Sequence, residues 1–299
     1  MTALWPRQVV EPISPHEAHV HEVVEVLAEG RTAVQSYEVV RLGGHGRAMV
    51  IEGRVQSTEA DEAIYHEALV MPAHAVAPSV GRVLCLGGAN GGLLHRVLAL
   101  PGVTSVRQFD VDAELHERSV ELLPHMHLDA LADPRVTLEF GHPRDLLDGL
   151  TGTFDLVLAD LPDSVPGSHV PALFTAEFYA RIRELLGGTG VFATQAGPAN
   201  PLAPDFFAGV LRTARSVFRH ATPYTSAVPS FGVPWGFVVA SDHPGAADPG
   251  RAAVPEPPRP VTTYDAETHR HMFAVPRLLR AGLEGGGRVI TDADPMWQA

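Results

Sequence analysis

The sequence predicts an α/β protein in which a mostly parallel sheet follows a small N-terminal β domain. Apolar runs such as Val83–Leu86 and Leu156–Ala159 are typical of strands that are buried on both faces. Helical patterns separate these runs, as parallel connections require, and a glycine-rich turn follows the first of them. We therefore expect a helix plus a small β-hairpin domain over residues 1–75. Residues 76–299 form a larger domain with a C-terminal helical extension.

The N-terminal region is predicted to contain one helix before its strands. Four apolar residues from Val20 to Leu27 recur at helical spacing, which favours a helix over Pro15–Leu27. The pattern then predicts, in order, a hairpin (Gln35–Val40 and Ala48–Ile51), a helix (Asp61–Ala75) and a domain boundary (Pro72–Pro78).

The larger domain shows regular alternation of strand and helix patterns. The predicted strands are Val83–Leu86, Ser105–Phe109, Arg135–Phe140, Phe154–Ala159 and Gly190–Gln195, with a closing antiparallel pair at Tyr224–Val228 and Trp235–Ala240. The predicted helices are Leu93–Leu100, Glu114–Leu123, Leu173–Leu186, Phe206–Phe218 and Tyr264–Leu283.

The glycine turn after the first of these strands is a candidate nucleotide site. Gly87, Gly88 and Gly91 allow a tight turn in which backbone N–H groups approach a ligand closely, at the start of a helix. A tight turn without a ligand gives the same glycine pattern. However, Asp110 ends the next strand about twenty residues later, where an acid in doubly wound folds binds ribose hydroxyls. Together the two features predict a nucleoside-binding cleft.

Two carboxylates follow the fourth predicted strand. Asp160 and Asp163 lie at its carboxyl end, which is the edge of an open parallel sheet where ligands bind. Such a pair is suited to holding an ammonium group, and one member can accept its proton. Capping of the following turn by Asp163 is the structural alternative.

Composition excludes several classes of function. The formal net charge is −13 and every cationic side chain is Arg, which argues against nucleic acid and is compatible with a cationic small molecule. We find no apolar run of membrane-spanning length and no signal pattern, so a cytoplasmic protein is expected. Cys85 is expected to be a buried core residue. The 16 His residues, including His19 and His21, show no convincing ligand spacing, and no metal is expected.

The order of elements is that of a class I methyltransferase-like, Rossmann-like fold, and the chain resembles the spermidine synthase (polyamine aminopropyltransferase) family over about residues 31–283. The resemblance includes the glycine turn and these separated motifs: Gly53–Glu59, Asp61–Glu62, Tyr65–Glu67, Asp110–Asp112, Asp160 with Asp163, Leu173–Tyr179, Thr194–Gln195, Trp235–Phe237, Tyr264 with His269, and Phe273–Pro276. It implies a small N-terminal β domain, a catalytic domain and a homodimer or homotetramer.

The resemblance also implies roles for individual residues. Asp160 matches the proton acceptor, Asp163 the amine anchor, and Tyr65 with His66 the amine-site pair. On the donor side Gln35 matches a nucleoside-binding residue and Asp110 the ribose acid. The further substrate-side positions are Gln56, Gln195, Phe231 and Trp235. The implied reaction transfers an aminopropyl group from decarboxylated S-adenosylmethionine to a primary amine such as putrescine.

Four departures from the family pattern keep other reactions open. Asn90 replaces an Asp of the glycine turn that repels a carboxylate on the donor. His142 replaces an Asp that receives the adenine amino group, with Asp145 as a candidate substitute, and Phe231 replaces a Tyr. Leu161-Pro162 replaces two small polar residues. One alternative is a methyl or 3-amino-3-carboxypropyl transferase, or a cyclase, that uses intact S-adenosylmethionine on an amine of a specialised metabolite. Another is a binding homologue without turnover.

Overall fold

The computed structural model describes residues 5–14, 16–88, 90–165, 167–256 and 261–298, and it contains two sheets. The first sheet is antiparallel with its strands in sequence order: β1 (Gln8–Ser14), β2 (Glu17–Arg31), β3 (Ser36–Leu42), β4 (Gly46–Ile51) and β5 (Arg54–Thr58). The predicted hairpin corresponds to β3 and β4. Val40, Val50 and their neighbours bury one face of this sheet as a small core.

The helix predicted over Pro15–Leu27 is wrong, because Glu17–Leu27 belongs to the long strand β2; Pro15 lies outside the described residues. Pairing along β2 is irregular between Val23 and Glu25 and again between Val26 and Ala28. Bulges of this kind interrupt the two-residue alternation of a strand. Apolar residues consequently fall at spacings that imitate a helix, although β-branched Val favours the strand.

The second sheet confirms the predicted parallel architecture. Its seven strands run in the order β11-β12-β10-β9-β6-β7-β8, and the five from β6 to β10 pair in parallel. They are β6 (Arg82–Gly87), β7 (Ser105–Asp110), β8 (Val136–Phe140), β9 (Leu156–Asp160), β10 (Val191–Pro198), β11 (His220–Ala227) and β12 (Pro234–Ser241). β12 is antiparallel to both of its neighbours, so the closing antiparallel pair is also confirmed.

Helices cover both faces of this sheet. They are α1 (Glu62–Val76), α2 (Gly92–Leu98), α3 (Ala113–Leu122), α4 (Pro124–His127), α5 (Pro143–Asp148), α6 (Ala176–Leu186), α7 (Asp205–Val217), α8 (Ala266–Phe273) and α9 (Arg277–Gly285). Leu84 and Leu86 of β6 face the core under α5, α6, α7 and α9. Val83 and Cys85 face the core under α1, α2 and α8, and Cys85 is fully buried as expected.

Two further differences from the predicted elements have local causes. The helix expected over Tyr264–Leu283 is two helices, α8 and α9, because Pro276 disfavours helical geometry in Val275 before it. α1 continues through Pro72 and packs against α2, β9 and β10 of the second sheet. The domain boundary after residue 75 stays a prediction.

None of the helices in the described parts of the chain has the length and apolarity needed to cross a bilayer.

Candidate active site

A cleft lies between the first sheet and the carboxyl ends of β6, β7, β9 and β10. Its empty volume is about 950 Å³, including space open to solvent. The lining contains predicted site residues from the whole length of the chain: Gln35, Gln56, Tyr65, His66, Gly87, Gly88, Asn90, Asp110, Asp160, Asp163, Gln195, Phe231 and Trp235. Three predicted residues, Gly91, His142 and Asp145, are not in the lining.

The glycine turn at the floor of the cleft requires glycine for two reasons. Gly87 and Gly88 have φ of 82° and 84°, which residues with a side chain rarely adopt. A Cβ on Gly87 would also lie 2.1 Å from the carbonyl oxygen of Asp160, its partner in the parallel ladder. The turn and Asp160 are therefore in direct contact across two neighbouring strands.

Gln108 supports this turn, and sequence reasoning missed it. Its side-chain Nε2 donates to the carbonyl oxygens of Gly87, at 2.7 Å, and Gly88, at 2.9 Å. The residue is fully buried in β7. A polar side chain inside an otherwise apolar parallel strand was the available signal, because a buried amide must find partners nearby.

The donor side of the cleft contains two acids with different partners. Asp110 lines the cleft at the end of β7, and burial raises the pKa of its carboxyl to about 7. Asp112 caps α3 and accepts hydrogen bonds from Thr32 Oγ1, at 2.6 Å, and Gln35 Nε2, at 3.1 Å. Gln35 is thus held at the cleft by a carboxylate, so its amide is fixed where a nucleoside would contact it.

Two of the four departures from the family pattern, Asn90 and His142, concern this donor side. Asn90 lines the cleft, and its Oδ1 accepts a hydrogen bond from the backbone N–H of Gly92 at 2.9 Å. His142 caps α5, and its ring lies 5.8 Å from that of His169, which does line the cleft. Asp145 is exposed in the first turn of α5. The structure therefore places His142 closer to the cleft wall than its proposed substitute.

Tyr65 and His66, which match the family's amine-site pair, lie next to Asp160. His66 Nε2 lies 3.6 Å from Asp160 Oδ2. The ring of Tyr65 packs edge-on against His66, with centroids 5.3 Å apart, and burial together with the Asp160 charge raises the pKa of Tyr65. A Cβ on Gly92 would lie 2.4 Å from the His66 ring, so Gly92 allows His66 to approach the glycine turn.

His66 is cationic at neutral pH because it lies between two carboxylates. Its Nδ1 is 2.8 Å from Glu62 Oε2, one helical turn earlier on α1. Burial opposes protonation, but the nearby carboxylates of Asp160 and of Glu62, which is hydrogen-bonded to Nδ1, raise the pKa of His66 to about 9. Arg96 of α2 pairs with Glu62 at 2.8 Å and approaches Glu67 at 3.5 Å. A buried ionic chain thus begins at Asp160, and sequence reasoning missed the part of it beyond His66.

Asp163 has a cationic partner that the sequence did not reveal. Arg54 Nη1 lies 3.3 Å from Asp163 Oδ2. Burial raises the pKa of Asp163 to about 6, although Arg54 and the carboxamide of Gln298 act in the opposite direction. Gln298 reaches this point because its backbone N–H donates to Ser164 O at 2.7 Å. The segment that contains Gln298 therefore packs against the loop that carries Asp163. Nothing in the local sequence indicates this contact.

Aromatic rings form the remaining wall. Phe231 packs against Trp235, with ring centroids 4.7 Å apart, and edge-on against Tyr65 at 5.7 Å. Gln195 also faces the cleft, but its amide is engaged with Leu161 O at 3.2 Å and with Trp235 Nε1 at 3.2 Å. Gln195 thus holds Trp235 in place within the aromatic wall. The apolar faces of the aromatic rings are suited to contact with a methylene chain.

This arrangement can bind a cationic, partly apolar molecule next to a nucleoside. Asp160 and Asp163 line the cleft together with the aromatic rings, and Asp160 adjoins the glycine turn. A carboxylate next to an ammonium group can act as its general base. The site is thus built for transfer chemistry on an amine.

Comparisons with known proteins agree with a site for transfer chemistry on an amine. A family model described as the spermine/spermidine synthase domain matches residues 62–248. The polyamine aminopropyltransferase of Synechococcus sp. (strain JA-3-3Ab) is 33% identical in an alignment of 297 positions that covers 95% of each chain. Polyamine aminopropyltransferase 2 of Hyperthermus butylicus is 33% identical in an alignment of 299 positions that covers 97% of each chain.

Solved structures show the same fold at lower sequence identity. A spermidine synthase in complex with the transition state analogue AdoDATO superimposes with a TM-score of 0.86 at 23% identity, over 93% of this chain and 95% of that one. The spermidine synthase of Thermotoga maritima gives a TM-score of 0.84 at 23% identity, over 93% and 94%. From the extent of the family match and of the two full-length alignments, the chain belongs to the spermine/spermidine synthase family.

Proposed function

We propose that the protein transfers an aminopropyl group from decarboxylated S-adenosylmethionine to a primary amine of the putrescine type. The main support is the register that pairs Gly87 with Asp160, because it brings a candidate base to the glycine turn of the nucleoside site. The polyamine aminopropyltransferase relatives carry the activity in their names.

The geometry supports the following roles for two carboxylates in the proposed reaction. Asp160 takes a proton from the substrate ammonium, since a protonated amine has no lone pair for attack. The free nitrogen then bonds to the methylene carbon next to the sulfonium, and the carbon–sulfur bond breaks with its electron pair going to sulfur. Asp163 holds the second ammonium, and alignment in the cleft supplies about 7–11 kcal/mol of the barrier reduction.

The side chain at position 90 affects whether the cleft binds intact or decarboxylated S-adenosylmethionine better. An Asp at this position would oppose the carboxylate of intact S-adenosylmethionine by about 1–4 kcal/mol at 4 Å, whereas an amide does not. Selection against the intact donor therefore depends on the rest of the cleft, in which Asp110, Asp160 and Asp163 all carry carboxyl groups. We propose that these groups suffice to favour the decarboxylated donor.

The experiment compares both donors in binding and in turnover. Calorimetry with each donor, followed by a putrescine transfer assay, should show preference for the decarboxylated form and a thioether product. Asp160→Asn should reduce transfer by about 10²–10⁴-fold while donor affinity changes little. Preference for the intact donor would replace the proposal by carboxyaminopropyl or methyl transfer, and binding of neither would leave a non-catalytic homologue.

The assembly and cellular location of the protein are also proposals. We propose a homodimer or homotetramer in the cytoplasm, acting on a small amine and on neither nucleic acid nor membrane. The resemblance to oligomeric aminopropyltransferases and the net charge of −13 support these points. Light scattering of the purified protein tests the subunit number.

A further inference from the structure

Three potential metal ligands meet on the hairpin formed by β1 and β2, outside the cleft. Glu11 lies opposite His19 in the antiparallel register, and His21 follows two residues along β2. One ligand atom from each of the three lies within 4.8 Å of the others. In the helix that the sequence suggested, His19 and His21 would point apart, whereas a strand places residues two apart on one face.

These side chains are more enclosed than surface residues of their types usually are. His21 is 5% exposed and Glu11 is 8% exposed. His21 Nε2 lies 2.9 Å from Glu11 Oε2, while the other carboxylate oxygen accepts from the backbone N–H of Val55 at 2.7 Å. His19 Nδ1 is buried with no hydrogen-bond partner among the described residues. The cluster thus contains the Glu11–His21 pair and a second, half-buried imidazole of which one nitrogen has no partner within the described part of the chain.

We propose that Glu11, His19 and His21 bind a divalent transition metal ion of the Zn²⁺ type. Two imidazoles and one carboxylate are a donor set suited to Zn²⁺, with bonds of about 2.0–2.2 Å. Such bonds place ligand atoms about 3.3 Å apart in a tetrahedron, so the existing separations need only small side-chain movements. The ion displaces the proton shared by His21 and Glu11, and water fills the remaining position.

The site has a structural role because of what surrounds it. The His19 ring packs on Gly232, where an added Cβ would lie 2.6 Å from His19 Nδ1. Gly232 directly follows Phe231 of the aromatic wall, and Glu11 holds β5 next to Gln56 of the cleft. A bound ion therefore joins the N-terminal hairpin to two segments that form the amine end of the cleft. This inference does not depend on the reaction proposed above.

Zn²⁺ binding to the tag-free, chelator-treated protein tests the site. Calorimetry should show one equivalent of tight binding, and Co²⁺ should give the intense visible absorption of a tetrahedral ion. His19→Gln removes one ligand without removing the Glu11–His21 pair, and it should weaken Zn²⁺ binding by about 100-fold or more. His16→Gln changes an exposed His on the same hairpin and should alter the affinity by less than about threefold.

A second readout separates loss of the ion from loss of the fold. Zn²⁺ should raise the unfolding temperature of the wild type and of the His16 variant, and leave that of the His19 variant unchanged. Nucleoside binding by the His19 variant should remain normal, because its ring does not line the cleft. The proposed site would be refuted if Zn²⁺ did not bind stoichiometrically. It would also be refuted if wild type and the His19→Gln and His21→Gln variants bound Zn²⁺ with equal affinity.

Discussion

Glu62→Gln probes whether the buried carboxylate beyond His66 keeps that imidazole cationic. The substitution conserves volume but replaces the charged partner of His66 Nδ1 by a neutral amide. Arg96 loses its partner at 2.8 Å and retains Glu67 at 3.5 Å. We therefore expect the fold to persist while the pKa of His66 falls from about 9 toward its ordinary value.

The size of the effect follows from the pKa of His66. A rise from 6.5 to about 9 corresponds to about 3 kcal/mol of folding free energy that depends on the charged ring. Because the folded pKa is the higher one, this stabilisation is complete below pH 6.5 and is lost as the pH rises through 9. Glu62 is one of two carboxylates that raise this pKa, so Glu62→Gln should remove part of the stabilisation and cost about 1–2 kcal/mol at pH 7.

Urea unfolding at pH 7 and pH 10, together with NMR titration of labelled His, measures this directly. The destabilisation should shrink at pH 10, where the wild-type ring is also neutral. Glu25→Gln serves as control, because it breaks an exposed pair with Arg41 and should cost less than about 1 kcal/mol at either pH. Equal destabilisation at the two pH values, or a wild-type His66 that titrates near 6.5, would refute the reasoning.

Three further changes address the donor turn and the amine anchor. Asn90→Asp should shift the kcat/KM ratio toward the decarboxylated donor by about tenfold or more, and an unchanged ratio would contradict the role of this position. Gly87→Ala places a Cβ 2.1 Å from Asp160 O and should abolish donor binding in calorimetry, whereas Gly188→Ala, with open space around it, should cost only about 1 kcal/mol in urea unfolding. Since the pKa of Asp163 is about 6, KM for the amine should rise as the pH falls from 7 to 5, and Asp163→Asn should remove this dependence in steady-state assays.

Several strands of the larger sheet were predictable because each contains a short apolar run that ends at a turn. β6 and β9, for example, carry uninterrupted buried residues before Gly87 and Asp160. β2 was not predictable in this way, because its irregular pairing with β3 breaks the alternation on which strand prediction depends. The pairing of β2 with its neighbouring strands decides the structure of this segment, and the local residue pattern alone does not predict it.

The site shows a similar division between local and distant causes. Residues that follow a strand, such as Asp110 and Asp160, were placed by topology, because the carboxyl ends of parallel strands share one edge. Arg54, which is 109 residues away in the sequence, pairs with Asp163, and Gln298 lies near the same carboxyl. No spacing rule links positions so far apart, so their effects on Asp163 became visible only in three dimensions.

The pairing of Gly87 with Asp160 constrains how this scaffold can diversify. Gly87 of the glycine turn and Asp160, the proposed base, are partners on one rung of the parallel ladder, so neither can shift without disrupting the interior of the sheet. Leu161, Pro162 and Phe231 also line the cleft but lie outside the strands. A different acceptor can therefore be accommodated by changes in those connecting segments, while the proposed alkylating half of the site stays in place.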